Sequence, residues 1–158
     1  MANTASLCTS FLAELMTGTH NFGVAPIRAA TTADTFKGAL YLASATYNAA
    51  TTAYSATGEV SGTNYTAGGV TVTNATPPAS TNTSATAGTA YWTPSASLVY
   101  TNVTLTTAFD TVLIYNSTQS NKAVGVYTFG SQTITAGTFT LTMPSNTTSA
   151  ALIRIATT

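Results

Sequence analysis

One histidine, one cysteine and four carboxylates are all this chain offers for acid–base or nucleophilic work. His20 stands in His20-Asn21-Phe22-Gly23, just past an apolar stretch, and reads as a surface or interface residue. A catalytic base or metal ligand there would need a partner at a recognisable spacing, and the sequence supplies none. Cys8, in Leu7-Cys8-Thr9, has no second thiol to pair with. Its apolar setting carries no sign of an activated thiolate, so it reads as a small buried apolar residue. Glu14, Asp34, Glu59 and Asp110 are far apart in the sequence. Two acids that work across one glycosidic bond must converge in space, and nothing in these spacings brings a pair together. Asp110, ahead of an apolar run, reads as a turn or solubilising residue. Arg154 reads as a charge that blocks further pairing at a sheet edge. No carboxylate series or Cys/His spacing suits a metal, and the glycines between Gly58 and Gly69 lack the lysine of a phosphate loop. The inventory points away from an enzyme, and no cofactor is expected.

Composition narrows the remaining classes. Charged residues make up 5% of the chain, against about 25% in an ordinary soluble domain. Four Lys or Arg balance four Asp or Glu, so little repulsion keeps copies apart. Arg28, Lys37, Lys122 and Arg154 are scattered, which excludes the basic stripe that nucleic acid requires. Thr supplies roughly a quarter of the residues, far above average usage, so the polar surface is built from hydroxyls and amides. No apolar run approaches the roughly 18 residues of a membrane span, and the N-terminus lacks the basic-then-apolar pattern of a secretory signal.

The elements that must carry these residues are mostly strands. At 158 residues the chain is expected to form a single domain, 1–158. A helix is expected over 4–18, with Leu7, Phe11, Leu12, Leu15 and Met16 on one face, Asn3 or Thr4 as its cap and Gly18 as its stop. Strands are expected within 34–73 and 89–155. Asp34 to Leu42 and Val70 to Thr73 fall in the first block. In the second, Thr89 to Thr93, Leu98 to Leu105, Thr111 to Tyr115, Ala123 to Phe129, Gln132 to Thr135, Thr138 to Met143 and Ala151 to Ile155 read as short strands. Phe129-Gly130-Ser131 and Ala136-Gly137 read as turns between them. Residues 74–88, rich in Ala, Thr and Ser with Pro77 and Pro78, are expected to be an exposed, flexible loop. Short strands at this spacing predict a mainly β fold, an antiparallel β-sandwich or barrel-like domain with one N-terminal amphipathic helix.

Aromatic residues recur along the strands: Tyr41, Tyr47, Tyr54, Tyr65, Tyr91, Trp92, Tyr100, Tyr115 and Tyr127. They read chiefly as core or subunit-contact residues, with a carbohydrate platform as the alternative. The helix stripe either docks on the sheet or contacts another chain. Leu7, Phe11, Leu15, Tyr91 and Trp92 are the candidate interface residues.

Several stretches resemble one family. Leu7-Cys-Thr-Ser-Phe-Leu-Ala-Glu-Leu15 leads to His20-Asn-Phe22. Asp34-Thr-Phe-Lys-Gly-Ala-Leu-Tyr41 follows, then Gly58-Glu-Val-Ser-Gly-Thr-Asn-Tyr-Thr-Ala-Gly-Gly69. Later come Phe109-Asp-Thr-Val-Leu-Ile-Tyr115, Thr135-Ala-Gly-Thr-Phe139 and Ile153-Arg-Ile155. Together they resemble small proteins encoded in tailed-phage genomes, commonly near the head genes. The resemblance spans most of the chain in one order and rests on turn glycines and strand cores. It implies a virion structural protein on the capsid surface, made in the host cytoplasm: a decoration or cement protein that stabilises the assembled shell. Its partners would be the major capsid protein and copies of itself, as a homo-oligomer or bound to a lattice. The alternative is a tail or head appendage, a fibre or adaptor subunit that contacts a partner or a host-surface glycan. The resemblance brings no catalytic residues with it.

Overall fold

The computed structural model describes residues 3–16, 18–22, 33–81 and 88–156. Among these residues the fold is mainly β, with two antiparallel sheets, in keeping with a β-sandwich. The larger has five strands in the order β1-β7-β6-β2-β3. These are β1 (Ser6–Leu7), β2 (Phe36–Leu42), β3 (Val70–Val72), β6 (Leu98–Asn116) and β7 (Lys122–Leu141). The smaller has three, β4 (Ala79–Ser80), β5 (Thr89–Trp92) and β8 (Ile153–Ala156), in the order β4-β5-β8.

The principal correction concerns strand length. Leu98 to Leu105 and Thr111 to Tyr115 join into one 19-residue strand, and three expected strands between Ala123 and Met143 join into one of 20. The expected turns at Phe129-Gly130-Ser131 and Ala136-Gly137 lie inside β7. The β6–β7 register shifts on either side of them, from Phe109↔Gln132 to Thr111↔Thr128 and from Val103↔Gly137 to Leu105↔Ile134. These are bulges. Residues that would reverse a free chain here add twist to a paired strand instead. The real reversal is the five-residue loop 117–121, where Ser120 and Asn121 both adopt left-handed backbone (φ 52° and 59°).

Bulges let the long ribbon curl over its own sheet. Tyr100, near the open end of β6, donates its hydroxyl to the Gly38 carbonyl in β2 at 2.7 Å. Leu98 packs so closely over Gly38 that a Cβ there would lie 2.6 Å from Leu98 Cδ1. Glycine is needed at Gly38 for this crossing. Strand β2 is consequently covered on both faces, with Phe36, Leu40, Ala39 and Tyr41 all fully buried. Opposite residues Leu40↔Val112 and Ala39↔Leu113 continue the core into β6.

The helix expected over 4–18 does not form at that length. Ser6–Leu7 pairs with Val126 and Gly125 of β7 as strand β1, and Cys8 N donates to the Val124 carbonyl. Only Thr9–Met16, about two turns, is helical (α1). An edge of β7 was available to the first residues, and pairing with it satisfied their backbone groups. Asn3 is not a cap. Its amide spans the chain instead, accepting from Tyr47 N at 2.8 Å and donating to Asp110 Oδ1 at 2.8 Å. Gly18 does stop the helix: with φ 66° it donates to the Leu15 carbonyl, and Thr19 N donates to the Glu14 carbonyl. This is the paired bonding of a Schellman ending.

Within 74–88, Ala79–Ser80 pairs with Tyr91 and Ala90, and residues 75–81 are exposed. Positions 82–87 of that expected loop lie outside the described residues.

Candidate functional site

Helix α1 and the small sheet stand side by side with an apolar cleft between them. Phe11 and Leu15 come from α1, spaced to share one face. Ala90, Tyr91 and Trp92 come from β5, Ile153 and Ile155 from β8, and Phe22 and Pro78 complete the lining. The cleft measures about 170 Å³ and is open on one side. No charged side chain among the described residues lines it. Its floor is rigid, because Phe22 stacks on Phe36 at 4.4 Å and meets Trp92 at 4.7 Å. The indole is fixed at its other end by donating Nε1 to the Thr76 carbonyl at 3.0 Å. At the rim, Ile155 is 41% exposed, one of two large apolar side chains so exposed among the described residues.

Four of the five candidate interface residues, Phe11, Leu15, Tyr91 and Trp92, therefore meet in one place. Leu7 does not join them: it is held in β1 against β7. Phe22, Pro78, Ile153 and Ile155 were not singled out from the sequence. Ile153 and Ile155 pair across from Trp92 and Ala90, a register invisible until the sheet exists. Arg154 between them is exposed and donates to the Ser149 carbonyl. It lies on β8, an edge of the small sheet.

Behind the cleft lies a polar cluster that corrects the reading of His20. The ring is not at the surface; its side chain is fully buried. It sits against Phe11 (5.0 Å) and Phe36 (6.3 Å). Its Nε2 is 2.7 Å from Glu14 Oε2, and its Nδ1 is 3.1 Å from Asn116 Nδ2. Lys122 Nζ donates to the other Glu14 oxygen. Asn116 Nδ2 also donates to Asp34 Oδ2 at 2.8 Å, and that oxygen accepts from Asn21 N as well. Gln119 Nε2 donates to Asp34 Oδ1. Two of the four acids, Glu14 and Asp34, thus flank one His–Asn pair. Burial lowers the His20 pKa, and this outweighs the carboxylates that favour its charged form. For Glu14 the balance is reversed: burial raises its pKa, but hydrogen bonds from Lys122 and His20 and the Lys122 charge leave it below the usual carboxylate range.

The other acids are anchored elsewhere. Glu59 accepts from Tyr54 Oη (2.6 Å), Tyr65 Oη (2.8 Å) and Gly68 N (2.7 Å). Asp110 is not in a turn; it lies within β6 and accepts from Asn3 and Thr111. Cys8 is fully buried, and burial followed by the Glu14 charge pushes its thiol up to about 11. Among the described residues no group of three His, Cys, Asp or Glu could hold a metal ion. No helix among them is long and apolar enough to cross a membrane.

A second, more open cleft of about 320 Å³ lies where the two sheets' connections meet. Thr76, Ser95, Ser97, Asn146 and Pro144 line it, again without charge among the described residues. Asn146 Oδ1 is buried there with no hydrogen-bond partner among the described residues.

Comparison of the chain with known protein families, curated proteins and solved structures gives no match.

Proposed function

We propose that this chain is a structural protein of a tailed-phage virion, a decoration or cement protein that binds the assembled capsid and stabilises it. Its place is the capsid surface, and its partners are the major capsid protein and further copies of itself. The observation that carries this reading is the open apolar cleft of Phe11, Leu15, Tyr91 and Trp92 on a chain with 5% charged residues. An uncharged apolar cleft suits an apolar, neutral segment of a shell subunit, because nothing charged is stripped of water on docking. Each contact is small, but many copies on a lattice gain through avidity. A protein that binds only the assembled shell stabilises it by mass action. No role in this reading requires catalysis.

The test is sedimentation of purified protein with shells of the source phage, followed by heating of the loaded shells. The expected result is saturable binding and a higher shell melting temperature. The double variant Tyr91→Ser/Ile155→Ser alters the cleft mouth and should weaken binding about tenfold or more while the protein's own melting temperature changes little. Equal binding by the variant would overturn the cleft as the contact.

The hydroxyl-lined cleft favours a second reading, an appendage subunit that contacts a host-surface glycan. The Ser, Thr and Asn side chains that line it suit sugar hydroxyls. Copy number separates the two: hundreds per particle for a cement protein, a handful for an appendage.

A further inference from the structure

The cluster behind the apolar cleft has a feature that its role in packing does not require: the hydrogen-bond directions of its Asn116 amide are fixed. Asn116 Oδ1 accepts from Thr118 N at 3.1 Å and Gln119 N at 3.2 Å. Its Nδ2 must therefore point the other way, and it donates both hydrogens, one to Asp34 Oδ2 and one to His20 Nδ1. Rotating this amide would break all four bonds. Nδ1 of His20 thus carries the lone pair, and Nε2 carries the hydrogen that is donated to Glu14. Only the neutral imidazole fits. A proton on Nδ1 would place N–H against the N–H of Asn116, inside a fully buried site.

We infer that His20 is an acid-sensitive latch: its protonation at Nδ1 breaks the bond to Asn116 and releases helix α1 and the Asn21–Phe22 segment from the tip of the β6–β7 hairpin. Among the described residues the groups facing His20 come from four elements or their ends. Glu14 belongs to α1, Asp34 leads into β2, Asn116 ends β6 and Lys122 begins β7; Phe11, Phe22 and Phe36 supply the apolar walls. The two carboxylates favour the charged ring. They cannot keep it in place, because Asn116 separates Asp34 from Nδ1 and Glu14 is already shared with Lys122. Phe11, Leu15 and Phe22 form one wall of the apolar cleft, so acid opens the cleft as the latch lets go. That effect on docking rests on the cleft being the contact; the latch itself does not.

The sign follows from linkage. A histidine with a lowered folded pKa leaves stability intact above the unfolded value. Stability is lost as pH falls below it, because the unfolded chain takes up the proton first.

The experiment is an imidazole ¹⁵N titration of the full chain, run alongside amide exchange of Phe11–Leu15 and Trp92 fluorescence. At neutral pH the ring should be the Nε2–H tautomer. It should titrate below an ordinary histidine, and in the same step amide protection across α1 should fall about tenfold or more with a change in Trp92 emission. His20→Gln keeps a donor for Glu14 and an acceptor for Asn116 but cannot titrate, so the step should vanish. An Nδ1–H tautomer, a ring that titrates without any change in α1 protection, or a step that persists in His20→Gln would each overturn the latch. The wild-type titration decides the matter even if the variant fails to fold. Loss of shell binding by Tyr91→Ser/Ile155→Ser with an intact titration would support docking and latch separately. An intact titration with unaffected binding would sink the docking reading alone.

Discussion

The amide nitrogen of Asn116 stands 3.1 Å from Nδ1 of His20, across 96 residues of chain. This contact joins the N-terminal layer to the hairpin tip, and the tip's own turn is what orients the amide. Replacing Asn116 by alanine strips partners from His20, Asp34 and two backbone amides at once. Asn116→Ala should cost about 2–4 kcal/mol, since buried groups left unpaired lose their full desolvation energy. Urea denaturation measures it, and a loss under 1 kcal/mol on this scale would mean that water replaces the amide without difficulty.

Acid should destabilise the fold in two stages. The first follows His20, as the unfolded histidine protonates before the folded one. The second follows Glu14. Its folded pKa is lowered, so its contribution is present above the ordinary carboxylate value and lost as pH falls through the folded one. Melting temperature measured from pH 8 to pH 3 should decline across both ranges. Glu14→Gln should remove the Glu14 contribution from the lower stage; an unchanged acid limb in that variant would assign it to other carboxylates.

Gly69 and Gly130 make a matched pair. Gly69 has φ 73°, and a Cβ there would collide with the Gly38 carbonyl oxygen. Gly130 is exposed in a bulge, with its nearest potential contact 4.0 Å away at Gln132 Nε2. Gly69→Ala should cost about 2–4 kcal/mol, from backbone strain and displacement of β2. Gly130→Ala should stay within about 0.5 kcal/mol. Equal effects would show that the close approach of 69 to β2 relaxes cheaply.

Glu59 organises the long connection between β2 and β3. Three donors from Tyr54, Tyr65 and Gly68 converge on its carboxylate. Tyr54 in turn stacks on Tyr115 at 4.7 Å. Glu59→Ala should cost about 2–3 kcal/mol by orphaning these donors and should raise amide exchange through 58–69. Unaltered exchange in that stretch would locate the anchor elsewhere, in the Tyr65 bond to Leu40 N, for example.

Cys8 should be inert in the folded protein. A thiol pushed from 9.0 to about 11 has about a hundredfold less thiolate at pH 8 from ionisation alone, and full burial slows access further. Ellman's reagent should label it only upon unfolding. Rapid labelling of native protein would show that β1 and α1 open frequently.

Much of the fold was legible because strand alternation and apolar runs are local. Phe36 to Leu42 and Thr138 to Leu141 carry the two-residue period in their own side chains, Thr111 to Tyr115 is a short apolar run of β-branched and aromatic residues, and all lie in strands. The stripe of Phe11 and Leu15, and Tyr91 with Trp92, could be marked as interface candidates from type and spacing, and the structure places them in one cleft. What the sequence could not contain was partnership. Gly130 and Gly137 look the same in a turn and in a bulge; only a neighbouring strand decides, because pairing holds the chain extended through them. Ser6 and Leu7 fit a helix until the edge of β7 offers backbone bonds. His20 looks like a loop residue until Glu14, Asp34 and Asn116, from three separate stretches, close around it. Residue types and periodicity determined that this chain would be a β protein with little charge. Tertiary structure decided where its strands run on, which apolar residues form one cleft, and which single proton state its histidine can hold, because each depends on groups brought together only by folding.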